Sequence, residues 1–207
     1  RNFMNHNGAG IVAIDPRRRN RATYQKTIHF NDFYFGDGND PRPLGNFQMV
    51  GKVSGAMLRP SARFLPRPAL DWMAGHSLDC FVMGEDWPHP DSRVTVEGDR
   101  IRLSWRRTNL EAIGRLKRLV RARLRALGYP IVLMQEYAEA NPGHQCGTVR
   151  MGLDPATAPL DPDCRAFDQP NLYVVDGGFL PNSAAVNPSL TIAAMALRVG
   201  ARIRATG

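Results

Sequence analysis

An apolar run closed by an acid and two glycines, then a proline-started helix, constrains this chain more than any other feature. The run is Asn171-Leu-Tyr-Val-Val-Asp-Gly-Gly178. Its four apolar residues, 172–175, predict a short buried strand. Asp176-Gly177-Gly178 ends it, and glycine there lets backbone come close to a ligand because no Cβ stands in the way. The helix start is Val186-Asn-Pro-Ser-Leu-Thr-Ile192. Asn187 suits an N-cap and Pro188 the first helical position. Thr191, Ile192, Met195, Val199 and Ile203 recur at helical spacing and predict an apolar stripe. A helix N-terminus carries partial positive charge and unpaired N–H groups, so it favours an anion. Upstream, Asn141-Pro-Gly-His-Gln-Cys-Gly-Thr-Val-Arg-Met-Gly152 puts His144 among small residues in a loop. The three pieces predict a strand end, a helix N-terminus and a histidine around one ligand.

The preceding residues carry a different pattern. Residues 10–14 and 78–83 read as strands, and 22–35 as one long or two short strands, since β-branched and aromatic residues dominate there. Residues 47–57 predict a strand interrupted by Gly51 and Gly55, and 69–76 a short helix. Arg93-Val-Thr-Val96 and 100–105 flank Glu97-Gly-Asp99, which predicts a hairpin. A helix follows, capped by Thr108 or Asn109. Its stripe runs through Leu110, Ile113, Val120, Leu124 and Leu127, and Gly128 stops it. Residues 131–134 predict another strand. The fold class is therefore α+β: mostly antiparallel sheet with flanking helices over residues 1–140, then a loop, a strand and a helix over 141–207.

Composition excludes several classes. No apolar run is long enough to span a bilayer, and no signal-peptide pattern is present. The three cysteines, 80, 146 and 164, are too far apart for a disulfide framework or a zinc knuckle, which favours a reducing compartment. His29, His76 and His89 lack ligand spacing, so no metal is expected. Ser183 and Ser189 lack a Gly-x-Ser-x-Gly elbow, which leaves a serine hydrolase unsupported. Cys146 lies two residues from His144, but nothing else supports a thiol enzyme. The net charge of +8 is carried largely by Arg17-Arg-Arg19 and by residues 117–125. Neither run is interleaved with stacking aromatics, so a solvated face is favoured over a nucleic-acid surface.

The order His–x–x–Gly-Thr–x–Arg-Met-Gly, then Asn-Leu-Tyr-Val-Val-Asp-Gly, then Asn-Pro–x–x–Thr-Ile resembles the C-terminal part of the glucose–methanol–choline (GMC) flavoprotein oxidoreductases. Arg1-Asn-Phe-Met-Asn-His6 resembles the end of that family's Gly–x–Asn-Leu–x–Asp-His stretch, with Asn2 and His6 matching and Asn5 in place of the acid. The resemblance implies a substrate-binding domain over 1–140. It implies a catalytic loop and a returning strand and helix that complete an FAD-binding domain over 141–207. A Gly-x-Gly-x-x-Gly dinucleotide motif is absent. With Arg1 first, the chain reads as the C-terminal portion of a longer enzyme, inactive without its N-terminal FAD-binding half.

The implied chemistry is oxidation of a CH–OH group in an alcohol or sugar, with FAD as cofactor. The resemblance places His144 as general base, and acid in reverse, with Asn187 holding the substrate oxygen. An amide is no base at neutral pH, so the proton falls to His144 alone. Asp176, Gly177, Asn187, Pro188, Ser189 and Thr191 are the expected cofactor contacts. Phe33, Phe47, Phe81 and Trp87 are candidate walls of the substrate chamber. The electron acceptor stays open between oxygen, a quinone and a cytochrome, and the compartment between bacterial cytoplasm and periplasm. The competing reading is a non-catalytic, basic, β-rich module that binds nucleic acid or another anionic partner.

Overall fold

The computed structural model describes residues 1–136 and 143–206. The expected opening of the catalytic loop at Asn141-Pro142, and the expected boundary at 140/141, lie outside the described residues. The chain divides into two compact units. One comprises Arg1–Asn7, Glu85–Leu110 and Ala138–Gly207; the other comprises Gly8–Gly84 and Glu111–Tyr137.

The second unit is built on a five-stranded sheet. Its strands are β1 (Asn7–Ile14), β2 (His29–Phe30), β3 (Asn46–Met49), β4 (Ser77–Gly84) and β7 (Ile131–Glu136), in the order β2-β3-β4-β1-β7. The pairs β1–β7, β2–β3 and β3–β4 are antiparallel. Alternation sets the faces. Ala9, Ile11 and Ala13 of β1, Cys80 and Val82 of β4, and Val132 of β7 form one core with Ile113, Leu116, Val120 and Leu124 of α3 (Leu110–Ala126). That helix ends as its sequence predicts. Gly128 has φ 94°, Tyr129 N donates to Leu124 O and Gly128 N donates to Arg125 O, which is a Schellman closure. Phe33 and Phe47 pack against this core.

A cavity of about 750 Å³ lies in the same unit, and its lining includes Gly10, Val12, Leu133, Phe81 and, from the helical segment, Met57 and Phe64. The helical segment holds α1 (Gly55–Leu58) and α2 (Arg67–Gly75). Of the four proposed chamber walls, Phe81 lines this cavity. Beside it, buried Asp79 accepts from Lys52 Nζ at 2.8 Å, Gln25 Nε2 at 2.9 Å and Val53 N at 3.0 Å.

Two strand expectations fail in this unit. Residues 22–35 are mostly turns, with only His29–Phe30 paired. Their aromatic and branched side chains do not alternate between core and solvent: Tyr24, Ile28, Phe30 and Phe35 are all exposed. Residues 47–57 are a four-residue strand and then a helix start, where Ser54 Oγ caps Met57 N.

The first unit carries the hairpin β5 (Arg93–Glu97) and β6 (Arg100–Ser104), which pairs Glu97 with Arg100 across Gly98-Asp99. Gly98 at φ 60° supplies the left-handed position that such a two-residue turn needs. The helix α4 (Ser189–Thr206) closes the chain. Its Ile192, Met195 and Val199 pack on a core of Leu160, Cys164, Ala166 and Phe179. Thr191 and Ile203, expected on the same stripe, are exposed.

Residues 172–175 correct the buried-strand expectation. They make one antiparallel bridge, Arg165↔Tyr173, flanked by Ala166 N→Leu172 O and Val174 N→Cys164 O. Leu172 is 51% exposed. With a single short partner segment, the run covers one side of the small core and forms no extended ladder. Among the described residues no helix is long and apolar enough to cross a membrane.

Candidate functional site

The site is assembled in the first unit around His144. Residues 147–151 run beside Gly177–Phe179: Gly147 N donates to Gly177 O, Val149 N to Gly178 O and Met151 N to Phe179 O. Two of the three expected pieces, the histidine loop and the Asp-Gly-Gly turn, are thus brought together by backbone hydrogen bonds. Asp176 caps that turn, its Oδ1 accepting from Gly178 N at 2.6 Å. The glycines serve this contact. A Cβ on Gly177 would stand 2.6 Å from Gln145 O, one residue from His144. Gly147, at φ 84°, would drive a Cβ to 2.6 Å from Asn2 O. The close approach expected of a ligand at Gly177 is, in that direction, an approach of the histidine loop itself.

The N-terminal segment holds the other side of the loop. Met4 and Cys146 exchange backbone hydrogen bonds at 2.9 and 3.0 Å. Asn5 Oδ1 accepts from His144 N at 2.9 Å. The His6 ring packs edge-on against the His144 ring, with centroids 4.8 Å apart and planes at 78°. Asn5 and His6 thus touch His144 itself, and Met4 holds its loop two residues on, at Cys146. Asn5 is itself anchored to Asp86. That buried carboxylate also accepts from Trp105 Nε1 at 2.8 Å, Thr108 N at 2.8 Å and Thr108 Oγ1 at 2.7 Å.

His6 is 6% exposed. Its Nδ1 lies 3.0 Å from Ala184 O, and a carbonyl only accepts, so Nδ1 carries the proton. Nε2 is then a bare acceptor, and among the described residues it has no hydrogen-bond partner. Burial, and next the charge on His144, push the His6 imidazole down to about 4, against the opposing pull of the Ala184 carbonyl. Burial and then the charge of Asp86 push the Cys146 thiol up to about 12, which removes it as a nucleophile.

Ala184 stands three residues before Asn187, so His6 links the histidine loop to the segment that leads into α4. Asn187 is exposed, and Pro188 O accepts from Ile192 N at 3.0 Å, which opens the helix. Pro188 thus takes the cap position, one residue later than Asn187. The N–H groups of Ser189, Leu190 and Thr191 precede the first helical donor, Ile192 N, all three residues are exposed, and no acid stands in the first turn. That donor set fits an anionic or oxygen-rich group. Trp87, the last candidate chamber wall, is half exposed with its indole near Glu85.

Sequence reasoning matched His6 to a motif without placing it at the site, and it missed Asn5 as a support for His144 and Asp86 as the anchor of that support. The signal for the first two was present in residues 2–6. Nothing local marks Asp86, whose partners lie about twenty residues downstream and eighty upstream.

Residues 89–196, more than half of the chain, match the sequence pattern of the family described as GMC oxidoreductase. Pyranose 2-oxidase of Tricholoma matsutake is 30% identical over 178 residues, 83% of this chain and 29% of that protein. 2-methyl-1,2-propanediol dehydrogenase of Mycolicibacterium austroafricanum is 35% identical over 138 residues, 61% of this chain and 25% of that protein. Paromamine 6'-oxidase of Streptomyces fradiae is 54% identical over 55 residues, 27% of this chain and 10% of that protein. The chain thus spans less than a third of the length of these relatives. The crystal structure of pyridoxine 4-oxidase from Mesorbium loti shares the fold, with a TM-score of 0.53 at 20% identity, over 100% of this chain and 43% of that one. With the family's sequence pattern over more than half its length, this chain belongs to the GMC oxidoreductases, a family whose members are generally flavoproteins.

Proposed function

We propose that this chain is the substrate-domain and catalytic portion of an FAD-dependent oxidoreductase acting on the CH–OH group of an alcohol or sugar, completed by an N-terminal FAD-binding half. One observation carries the reading: His144 is held by Asn5 and His6, and its loop is tied by Cys146 to Met4 and by hydrogen bonds from residues 147–151 to the Gly177–Phe179 turn. That is how a base is fixed to act on one substrate atom. FAD, when bound, supplies the hydride acceptor.

His144 takes the hydroxyl proton of the alcohol and returns it in reverse. Asn187 binds the same oxygen through its amide and orients the C–H bond. Ser189 and Thr191, with the Pro188 turn, offer N–H groups to the negative charge that reduction builds. Asp176 meets a sugar hydroxyl, and Gly177 contributes backbone. Residues 1–140 supply the substrate chamber and 141–207 the returning segment of the FAD-binding domain.

The test is anaerobic bleaching of bound flavin by a panel of alcohols in the protein joined to its FAD-binding half. His144→Ala should slow bleaching by about 10²–10⁴-fold at unchanged flavin content. Flavin that binds and bleaches equally fast in the variant would remove His144 as the base. Failure of the joined protein to bind flavin would remove the enzyme reading and bring forward a basic binding module.

A further inference from the structure

We propose that His6 is a positioning residue for His144: when His144 takes up the substrate proton, its ring N–H donates to the bare Nε2 of His6, which holds the imidazolium in place. The inference rests on His144 being the base. Its own support is geometric. The His6 ring is fixed through Nδ1–H to Ala184 O, which leaves Nε2 as an acceptor and settles the tautomer. Nε2 is walled off from solvent and has no partner among the described residues. The neighbouring ring is that of His144, packed edge-on with the two centroids 4.8 Å apart. A buried acceptor without a donor is costly, and the ring N–H that His144 carries on the nitrogen away from the substrate becomes a stronger, charge-assisted donor once the other nitrogen takes the proton. The bond is therefore strongest with the imidazolium and favours it. Neutral His6 is suited to this, because its lowered pKa keeps Nε2 unprotonated throughout the working range.

Asn5, Asp86, Cys146 and Ser183 each have hydrogen-bond partners of their own. Asn5 faces His144 through a backbone bond. Asp86 is saturated by Asn5, Trp105 and Thr108. The Cys146 thiol donates to Met4 O. Ser183 Oγ accepts from Asp86 N and has Asp86 O and Ala184 O within reach.

Two variants separate the parts of the ring. Asparagine at position 6 keeps a donor for Ala184 O but has nothing where Nε2 stood. Glutamine restores an acceptor at the Nε2 position. Titrating the His144 ring by NMR in ¹⁵N-histidine-labelled protein needs no turnover. His6→Asn should lower the His144 midpoint by about one pH unit, since a hydrogen bond to the charged form is lost, and His6→Gln should recover most of it. In the flavin-loaded protein, the acid limb of anaerobic bleaching should move by the same amount and in the same direction. An unmoved midpoint in a folded His6→Asn protein overturns the proposal. So does an equal shift in both variants, because it would follow from lost packing. A shifted midpoint in protein that no alcohol bleaches would leave the histidine pair standing and sink the enzyme reading alone.

Discussion

At the scale of single residues, burial decides which reactive groups are available for chemistry. Cys146 stands two positions from His144 and would be a natural suspect as a nucleophile. Its thiol is 3% exposed and its pKa is pushed up to about 12, as is that of Cys80. Cys164 is buried as well, with its thiol pushed upward by the same cause. A thiol reacts as thiolate and must be reached. In the native protein at pH 8, a disulfide-exchange reagent should therefore titrate essentially none of the three cysteines within minutes, and all three once denaturant is added. Rapid release of one equivalent from native protein would contradict the buried placement, and mapping the label would show which cysteine is exposed. The histidines divide on the same ground. Resemblance alone marks His144 in the sequence. The role of His6 depends on Ala184, 178 positions away, and no local pattern carries that information.

At the scale of elements, regular periodicity was readable and irregular backbone was not. The helix α3 stands where its stripe of Ile113, Val120 and Leu124 and its Gly128 stop predict, because a long amphipathic helix carries its own instruction. Residues 22–35 have strand-like composition, yet Tyr24, Ile28, Phe30 and Phe35 face solvent and only two residues pair. Composition without alternation does not define a sheet face. The Asp176-Gly177-Gly178 turn was legible as a turn, but the reason for its glycine was not. Gly177 leaves room for Gln145 O, so it sets the approach of the histidine loop. Gly177→Ala should cost about 1–3 kcal/mol in chemical denaturation, since backbone on both sides must shift. It should also lower the rate of flavin bleaching at saturating alcohol. Stability within about 0.5 kcal/mol of the parent would mean that the loop gives way without strain, and Gly177 would then set nothing.

At the scale of the whole molecule, acid should find the site before it finds the surface. His6 has a folded-state pKa near 4, against the ordinary 6.5 that it regains on unfolding. Between those values the unfolded chain binds a proton that the folded chain refuses, so stability falls as pH drops through this window. The carboxylates held low by arginine act elsewhere on the scale. Asp15, beside Arg17 and Arg18, and Asp40, beside Arg42 and Arg115, start from an ordinary value of 3.8 and are pulled below it. Their contribution is intact above that value and is lost only beneath it. The range from about 6.5 to 4 therefore isolates His6 from these ion pairs. Two pH units inside it correspond to about 2–3 kcal/mol. Urea denaturation followed by tryptophan fluorescence at pH 6.5 and 4.5 reads this directly, because Trp105 donates to Asp86 in the same unit as His6. The parent protein should lose about that amount at the lower pH, and His6→Asn, which has nothing to protonate there, should lose much less. Equal losses would assign the acid sensitivity to other groups and place the His6 imidazole in a wetter environment than its burial and its bond to Ala184 describe.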